Sequence, residues 1–598
     1  MDAMNTEIHR PLEAAFQLFR LGLLEEAGEA YRAVVKQQRG NAEAWNMLGI
    51  VLHRLGRIEE AIKALETAVE VAPRAPEALN NLGNLYKDSG DYLRAVRYYR
   101  KALSLAPDHV SANANLANCL VESDDLLAAE THALRALDLD GQSIEAWSAL
   151  ACISERRGDY AQAIAVLESA LEVFPDQADW LMHLGCTRLL DKQYESAINA
   201  LHRALKCRPQ FVEAMNNLGK ALFEVGRLEE AEAVLRDAIH LRSSMKELYI
   251  NLANVQISLR QHAEAMASFH RVLNLDPDNA SARFVLGMVH LVEGDLENGW
   301  REYAWRWQTK EYGARLRNIP VPEWRGEDLT GKTLFIHAEQ GVGDTLQFVR
   351  YLPAIGKLGG RVVLECQPPL MRLLGSLAGT DALTVKGDPL PEMDLHIPLL
   401  NIPGVMGTSL DNIPNQVPYL RAVQGAVEYW ARRICSLSSL VKVGIAWAGN
   451  PDHVNDRNRS MRLAQLAPLA SVNGVSWISL QKGAGAGQLN VEPKVLDLVD
   501  WTDDLIDFAD TAALIENLDL VIAVDTSVAH LAGALNKPVW VMVPFAPDWR
   551  WLLDRSDSPW YPSMRLFRQG TRGDWGGVVD QVAHELGGVI NSASSPRT

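Results

Sequence analysis

Three short stretches in the C-terminal half carry residue types suited to holding an anion. Asp525-Thr526-Ser527-Val528-Ala529-His530 follows the apolar run LDLVIAV and opens a helical pattern, VAHLAGAL. Hydroxyl residues at a helix start leave backbone N–H groups unpaired, and the helix dipole adds roughly 0.3–2 kcal/mol for a negative charge there. A diphosphate is the natural guest; a simple cap by Asp525 or Thr526 is the other reading of the same residues. The loop 450–460 offers Asn450, Arg457, Arg459 and Ser460. Its two arginines can fork onto phosphate oxygens. Gln481 and Lys482 end a third apolar run, with Lys482 a further point charge.

The elements that would position these loops are short apolar runs alternating with helical patterns. Strands are expected at 333–337, 361–366, 394–397, 441–447, 475–480 and 518–523, and a helix from about Thr345 to 358. Alternation of this kind implies parallel, doubly wound sheets, whose ligands sit beyond the carboxyl ends of the strands. Two such units face a cleft in this reading. A glycine-bearing loop, Glu339-Gln340-Gly341-Val342-Gly343-Asp344, ends the first strand. His337, a lone histidine near that edge, reads as structural. Trp300, Tyr303, Trp305, Trp307 and Trp324 precede it, and aromatic density of this kind reads as packing at a junction.

The N-terminal half is one motif repeated. Steps of 34 residues land on Ala27, Ala61, Ala95, Ala129, Ala163, Ala197, Ala231 and Ala265. Pro73, Pro107, Pro175, Pro209 and Pro277 close several units. Each unit has two apolar-periodic stretches around a turn such as Gly90-Asp91, hence a helical hairpin that must stack on its neighbours to bury its apolar face. The pattern resembles the tetratricopeptide repeat: eight units over about 8–279, with a ninth that starts at Ala280 and degrades after Gly294. Asn81, Asn115, Asn217 and Asn251 share one phase, interrupted by Met47, Ala149 and His183. A ladder of carboxamides, each donor and acceptor, can pair with the backbone of an extended peptide or stabilise helix packing.

EQGVGDTLQFVRYLP, GIAWAGNP with NDRNRSM, SLQKG, DTSVAHLAGALNKPVWVMVP and PDWRWLLDRSDSPWYPSMRLFRQ together resemble bacterial fusions of tetratricopeptide repeats to a heptosyltransferase-like glycosyltransferase. The design is similar to protein O-linked N-acetylglucosamine transferases and flagellin glycosyltransferases. The resemblance implies a repeat superhelix followed by an α/β GT-B catalytic region of two Rossmann-like lobes. The domains expected are residues 8–313 (repeats, acceptor groove), 314–430 (first lobe) and 431–590 (second lobe, donor binding). It implies Asp344 as general base, Asp525, Thr526 and His530 at the donor, and Ser527 where the family has glycine. Arg459, with Ser460 adjacent, falls near the family's phosphate-binding lysine. The expected reaction moves a sugar from a nucleotide-sugar to Ser or Thr of a polypeptide such as flagellin. No convincing DxD motif stands in the second half, so a bound Mg²⁺ is not required in this reading and no cofactor beyond the nucleotide-sugar is expected; direct displacement would invert the anomeric centre. Alternatives are a lipopolysaccharide or lipid-linked acceptor, or a scaffold or secretion chaperone with an inactive transferase region.

Composition bounds these readings. The chain has 598 residues, 48 % of them hydrophobic, and a net charge of −17. Such an acidic balance excludes a general nucleic-acid binder and an attraction to anionic membranes. No uninterrupted apolar run reaches the ~20 residues of a membrane span, and Arg10 and Glu13 stand where a signal peptide needs apolar residues. Six cysteines, none in a CxxC pair, fit a reducing cytoplasm as small buried apolar residues.

Overall fold

In a computed structural model, residues 2–314, 317–453, 455–490 and 494–594 are described. Val454 of the loop 450–460 lies outside the described residues. Two compact units divide at 251/252, inside the helix Lys246–Ser258.

The first unit is built of helical hairpins. Typical are Pro76–Asp88 with Tyr92–Leu105 and Val212–Glu224 with Leu228–Leu241. The eight alanines at the 34-residue step are all fully buried, which explains why no larger side chain stands there. A glycine in the first helix admits a side chain from the second: a Cβ on Gly83 would sit 2.6 Å from Tyr99, and one on Gly219 2.5 Å from Leu235. The turns repeat as well. Gly22, Gly56, Gly90, Asp124, Gly158, Lys192 and Gly226 all take left-handed backbone conformations. Three of these seven turns lead into an aspartate cap: Asp91, Asp125 and Asp159 accept from the backbone N–H three residues on.

The second unit opens with the last helices of the array. Ala280–Glu293 pairs with a short helix, Leu296–Tyr303, so the ninth hairpin closes, though its second helix spans only 8 residues. Trp300, Tyr303 and Trp324 are buried, in keeping with a packing role for the junction aromatics. Two parallel sheets follow. β1 (Thr333–His337), β2 (Arg361–Cys366), β3 (Ala382–Val385) and β4 (Leu395–Pro398) lie in the order β3-β2-β1-β4. β5 (Val441–Ala446), β6 (Val475–Ser479), β7 (Leu498–Val499), β8 (Leu520–Val524), β9 (Val539–Val543) and β10 (Met564–Arg568) lie in the order β10-β9-β8-β5-β6-β7. Strands such as β8 and β9, buried along their whole length, read as continuous apolar runs because both faces are covered. In each sheet the order reverses beside the first strand: between β1 and β4, and between β5 and β8. A crevice opens at such reversals.

The helix after β1 differs from expectation. It starts at Val342, three residues early, and ends at Phe348; shorter turns follow to Leu358. Pro353 interrupts the run because it has no N–H to offer the preceding turn. The six cysteines are free; Cys119 and Cys366 are buried, but Cys207 and Cys435 are exposed, where helices end at the surface. Among the described residues no helix is long and apolar enough to cross a membrane.

Candidate active site

Both reversal points carry polar loops. After β1 the chain passes through Glu339 and Gln340 into the helix Val342–Phe348. Asp344 is the third residue of that helix, and one carboxylate oxygen accepts from the Gly341 N–H at 2.7 Å. It therefore braces the helix start from inside rather than capping it at Thr345. Its other oxygen faces the second lobe and pairs with Arg550. After β8, Asp525 and Thr526 are buried at the entry to the helix Ser527–Ala534. The two helix starts touch: a Cβ on Gly343 would lie 3.1 Å from the His530 ring and 3.5 Å from the Ser527 backbone.

Charges gather here. Burial, with Asp548 next in weight, raises the Asp525 carboxyl to about 6 against the pull of Arg459 and Arg550. His530 is held well below its ordinary range, first by burial and then by Arg550, Arg350 and Arg459. Its Nδ1 pairs with the Tyr561 hydroxyl at 3.0 Å, and its ring stacks on Trp551 at 5.3 Å. His453 lies in the field of Arg459, Asp548 and Asp344. Two buried polar atoms on residues of this region have no hydrogen-bond partner, Thr526 Oγ1 and Gln347 Nε2, whereas the Trp551 indole is directed at the Asp525 carboxylate. Unpaired buried donors of this kind cost about 1–3 kcal/mol each and point to a guest that satisfies them.

The other residues singled out from the sequence fall as follows. Arg459 approaches Asp456 at 3.4 Å and lies against Gly449. Ser460 accepts from the Gly449 N–H at 2.9 Å and donates to Asp456 at 2.7 Å, which fixes the loop after β5. Arg457 sits on the same short helix, Asp456–Arg459, and is exposed. Asn450 is exposed and accepts from the Asp452 N–H at 3.2 Å. Gln481 is buried and clamps the end of β5, accepting from the Trp447 and Ala448 N–H groups at 3.0 and 2.8 Å. The Lys482 ammonium turns to the Thr502 carbonyl at 3.0 Å and to that of Leu505. Asp344, Arg459, Asp525, Thr526, Ser527 and His530 thus lie around one place, while Lys482 is bonded to the 502–505 turn. Trp549, Trp551 and Trp560 are buried.

In the first unit, one N–H of each ladder asparagine reaches back to the preceding hairpin. Asn81 donates to Asn46 at 3.0 Å, Asn115 to Asn84 at 3.0 Å and Asn80 at 3.4 Å, and Asn251 to Asn216 at 2.8 Å. Asn217 donates to Cys186 Sγ at 3.0 Å. Asn81 and Asn251 each keep a second N–H, whereas the amide nitrogens of Asn115 and Asn217 each meet two acceptors; a carbonyl oxygen remains on all four.

Sequence reasoning missed two arginines. Arg550 donates to Gln347 at 2.6 Å and Asp548 at 2.9 Å as well as to Asp344, and lies 4.3 Å above Trp549. The signal was its place between two tryptophans in PDWRW. Leu552, two residues on, has φ 52° and ψ −167°, a region nearly restricted to glycine, so the segment carrying Arg550 is strained. Arg306 is fully buried and grips Glu339 through three contacts of 2.7–3.0 Å. It also donates to Asn401 at 2.6 Å. Burial raises the Glu339 carboxyl despite Arg306. His337 pairs with His396 at 3.2 Å, and burial pushes it down to about 3.

Comparison with known proteins adds the following. Tetratricopeptide repeat families match residues 40–108, 86–153, 149–189, 188–244 and 250–303. Glycosyltransferase family 9 (heptosyltransferase) matches residues 505–541, a short stretch that contains Asp525 to His530. Protein FlbA of Caulobacter vibrioides is 26 % identical over 331 residues, 52 % of this chain and 55 % of FlbA. The chain thus spans about half the length of this curated relative. A solved tetratricopeptide repeat protein from Parabacteroides merdae is 16 % identical, with a TM-score of 0.36, covering 42 % of this chain and 99 % of that one. For Pseudomonas aeruginosa pilF the values are 19 %, 0.32, 35 % and 94 %.

Proposed function

We propose, from tetratricopeptide repeats joined to a glycosyltransferase family 9 segment, that this chain is a protein O-glycosyltransferase. It transfers a sugar from a nucleotide-sugar to Ser or Thr of a polypeptide recruited by the repeats, with flagellin the candidate acceptor and the cytoplasm the place of reaction. The observation that carries this reading is the meeting of two helix starts: Gly343, next to Asp344 at the reversal point of one sheet, lies against Ser527 and His530 at the reversal point of the other, and Arg550 bridges to Asp344. This supports a reading in which a carboxylate base and an anion-binding helix start work together, as group transfer across a cleft would use them.

In this mechanism the donor phosphate rests at the start of the helix Ser527–Ala534, where N–H groups and the helix dipole favour negative charge. Thr526 Oγ1, buried without a partner, is available to it. Arg459 adds charge from the loop after β5. The acceptor hydroxyl attacks the anomeric carbon, Asp344 takes its proton, and the bond from that carbon to the phosphate oxygen breaks. Negative charge developing on the leaving phosphate meets fixed donors. A direct displacement inverts the anomeric centre. The carboxamide oxygens of Asn81, Asn115, Asn217 and Asn251 are available to an acceptor backbone, and Asn81 and Asn251 offer a second N–H as well.

The test is intact-protein mass spectrometry of candidate acceptors from cells with and without the protein. A discrete sugar mass is expected with the wild type. Asp344→Asn, folded by circular dichroism, is expected to lose it, because a missing general base costs about 10²- to 10⁴-fold in rate. Acceptors of equal mass with and without the protein overturn the reading.

A further inference from the structure

Asp344 cannot serve as a base while a guanidinium holds it. Arg550 is 8 % exposed and donates in three directions: Nε to Gln347, Nη1 to Asp548 and Nη2 to Asp344. Asp344 and Gln347 stand one turn apart on the same first-lobe helix, whereas Asp548 and Trp549 belong to the loop that carries Arg550. The guanidinium therefore spans the two lobes at the place where their helix starts touch.

The charge balance at this place is uneven. The carboxylates of Asp344, Asp548, Asp525 and Asp456 act there with the guanidiniums of Arg550 and Arg459, and with that of Arg350, whose N–H groups are taken by the Gln347, Pro414 and Trp560 carbonyls and the Tyr419 hydroxyl. A nucleotide phosphate adds negative charge to a site already short of cations. It is held only if a cation shifts towards it. Arg459 is close to Asp456 at 3.4 Å, while Arg550 reaches both the Asp344 oxygen and the surroundings of Asp525 and His530. Its fork is planar and rests on Trp549, so it can pivot on the ring face while Asp548 keeps hold of Nη1.

We propose that Arg550 is a donor-responsive positioning residue. A nucleotide phosphate seated at Thr526 and Ser527 draws its Nη2 edge away from Asp344 and leaves that carboxylate charged and uncovered for the acceptor proton. This rests on the transferase reading above and adds an order to it: the base is masked until the donor is present. Without donor, the acceptor hydroxyl meets a carboxylate already paired.

The test is a double-mutant cycle on the full chain, read by calorimetric binding of UDP, GDP, CDP, ADP and CMP. Asp344→Asn removes the competitor for Arg550 and is expected to bind the preferred nucleotide about fivefold more tightly. Arg550→Gln is expected to bind it roughly 10- to 100-fold more weakly, the range for a lost charge-assisted hydrogen bond. In the Arg550→Gln background, Asp344→Asn no longer tightens binding. Simple repulsion between Asp344 and phosphate gives the opposite result, a tightening that persists or grows, and overturns the proposal. So does a nucleotide-bound crystal structure with the Arg550–Asp344 pair intact. If Arg550→Gln does not fold, Arg550→Lys, which keeps charge but not the fork, replaces it in the cycle. If none of the five nucleotides binds wild type at millimolar concentration, the donor reading fails and this proposal with it. Binding with a cycle that shows no coupling overturns this proposal alone.

Discussion

Replacing Arg306 by methionine strands a buried carboxylate. Glu339 has a side chain only 4 % exposed, and its carboxylate pairs with Arg306, 0 % exposed itself, while Lys386 donates to the Glu339 backbone carbonyl at 3.2 Å. The pair is closed by contacts of 2.7, 2.9 and 3.0 Å, with the Leu400 N–H at 3.1 Å as a further donor to Glu339. Breaking one side of such a pair costs about 3–5 kcal/mol, because the remaining charge stays buried. Arg306 also lies 4.8 Å from the Tyr303 and Trp307 rings, but methionine keeps much of that packing. Thermal unfolding followed by tryptophan fluorescence reads the loss; at roughly 2 °C per kcal/mol for a large unit, the midpoint falls by about 6–10 °C at pH 7. The pH dependence has a definite sign. Burial raises the Glu339 carboxyl, and without Arg306 the main charge opposing that rise is gone. A carboxyl raised in the folded state stabilises while it is protonated and loses that contribution as pH rises, so the variant is relatively more stable at pH 5 than at pH 7. Adding Glu339→Gln removes the stranded charge and restores part of the loss. A loss below about 1 kcal/mol, or a double variant no better than the single, refutes the account of the pair as an enforced, charge-matched junction.

Lys192 takes the left-handed turn position with φ 60°, where Gly22, Gly56, Gly90, Gly158 and Gly226 stand in other hairpins. Lys192→Gly is expected to stabilise by about 0.5–1 kcal/mol in urea titration, and a destabilised variant contradicts this. Asp525, raised to about 6 by burial and Asp548, favours the folded state below the ordinary carboxylate range and loses that contribution as pH climbs to about 6. Stability of the wild type therefore falls, relative to Asp525→Asn, by about 2–3 kcal/mol between pH 4 and 7. Parallel pH profiles of the two proteins rule this out.

What could be read from the sequence was whatever repeats or stays local. The alanines at the 34-residue step announce hairpins because each touches only its neighbours, and no polar residue fits where they are buried. β1 and β2 matched their expected bounds, since short apolar runs between glycines leave little choice. Thr526, Ser527 and His530 were visible because a helix start has a local signature. Long-range pairs were not visible. Arg550 meets Asp344 across 206 residues and Arg306 meets Glu339 across 33, and no spacing rule reports such contacts. Lys482 looked like a free cation beside a strand end, yet carbonyls 20 and 23 residues away take its ammonium. The early start at Val342 was hidden because Gly341 and Gly343 look like loop, whereas the Asp344 carboxylate stabilises the first helical turn.

The turns of the array share one left-handed residue every 34 positions, whether that residue is glycine, aspartate, lysine or arginine. Each hairpin therefore makes its turn through the same backbone conformation. Loss or gain of a whole 34-residue cassette keeps every remaining turn in register, whereas a fractional insertion would break the stacking. For an array that holds an extended chain, this makes length a digital property. Reach changes in whole steps, and the asparagine pairs, each bridging one hairpin to the one before, move with the step.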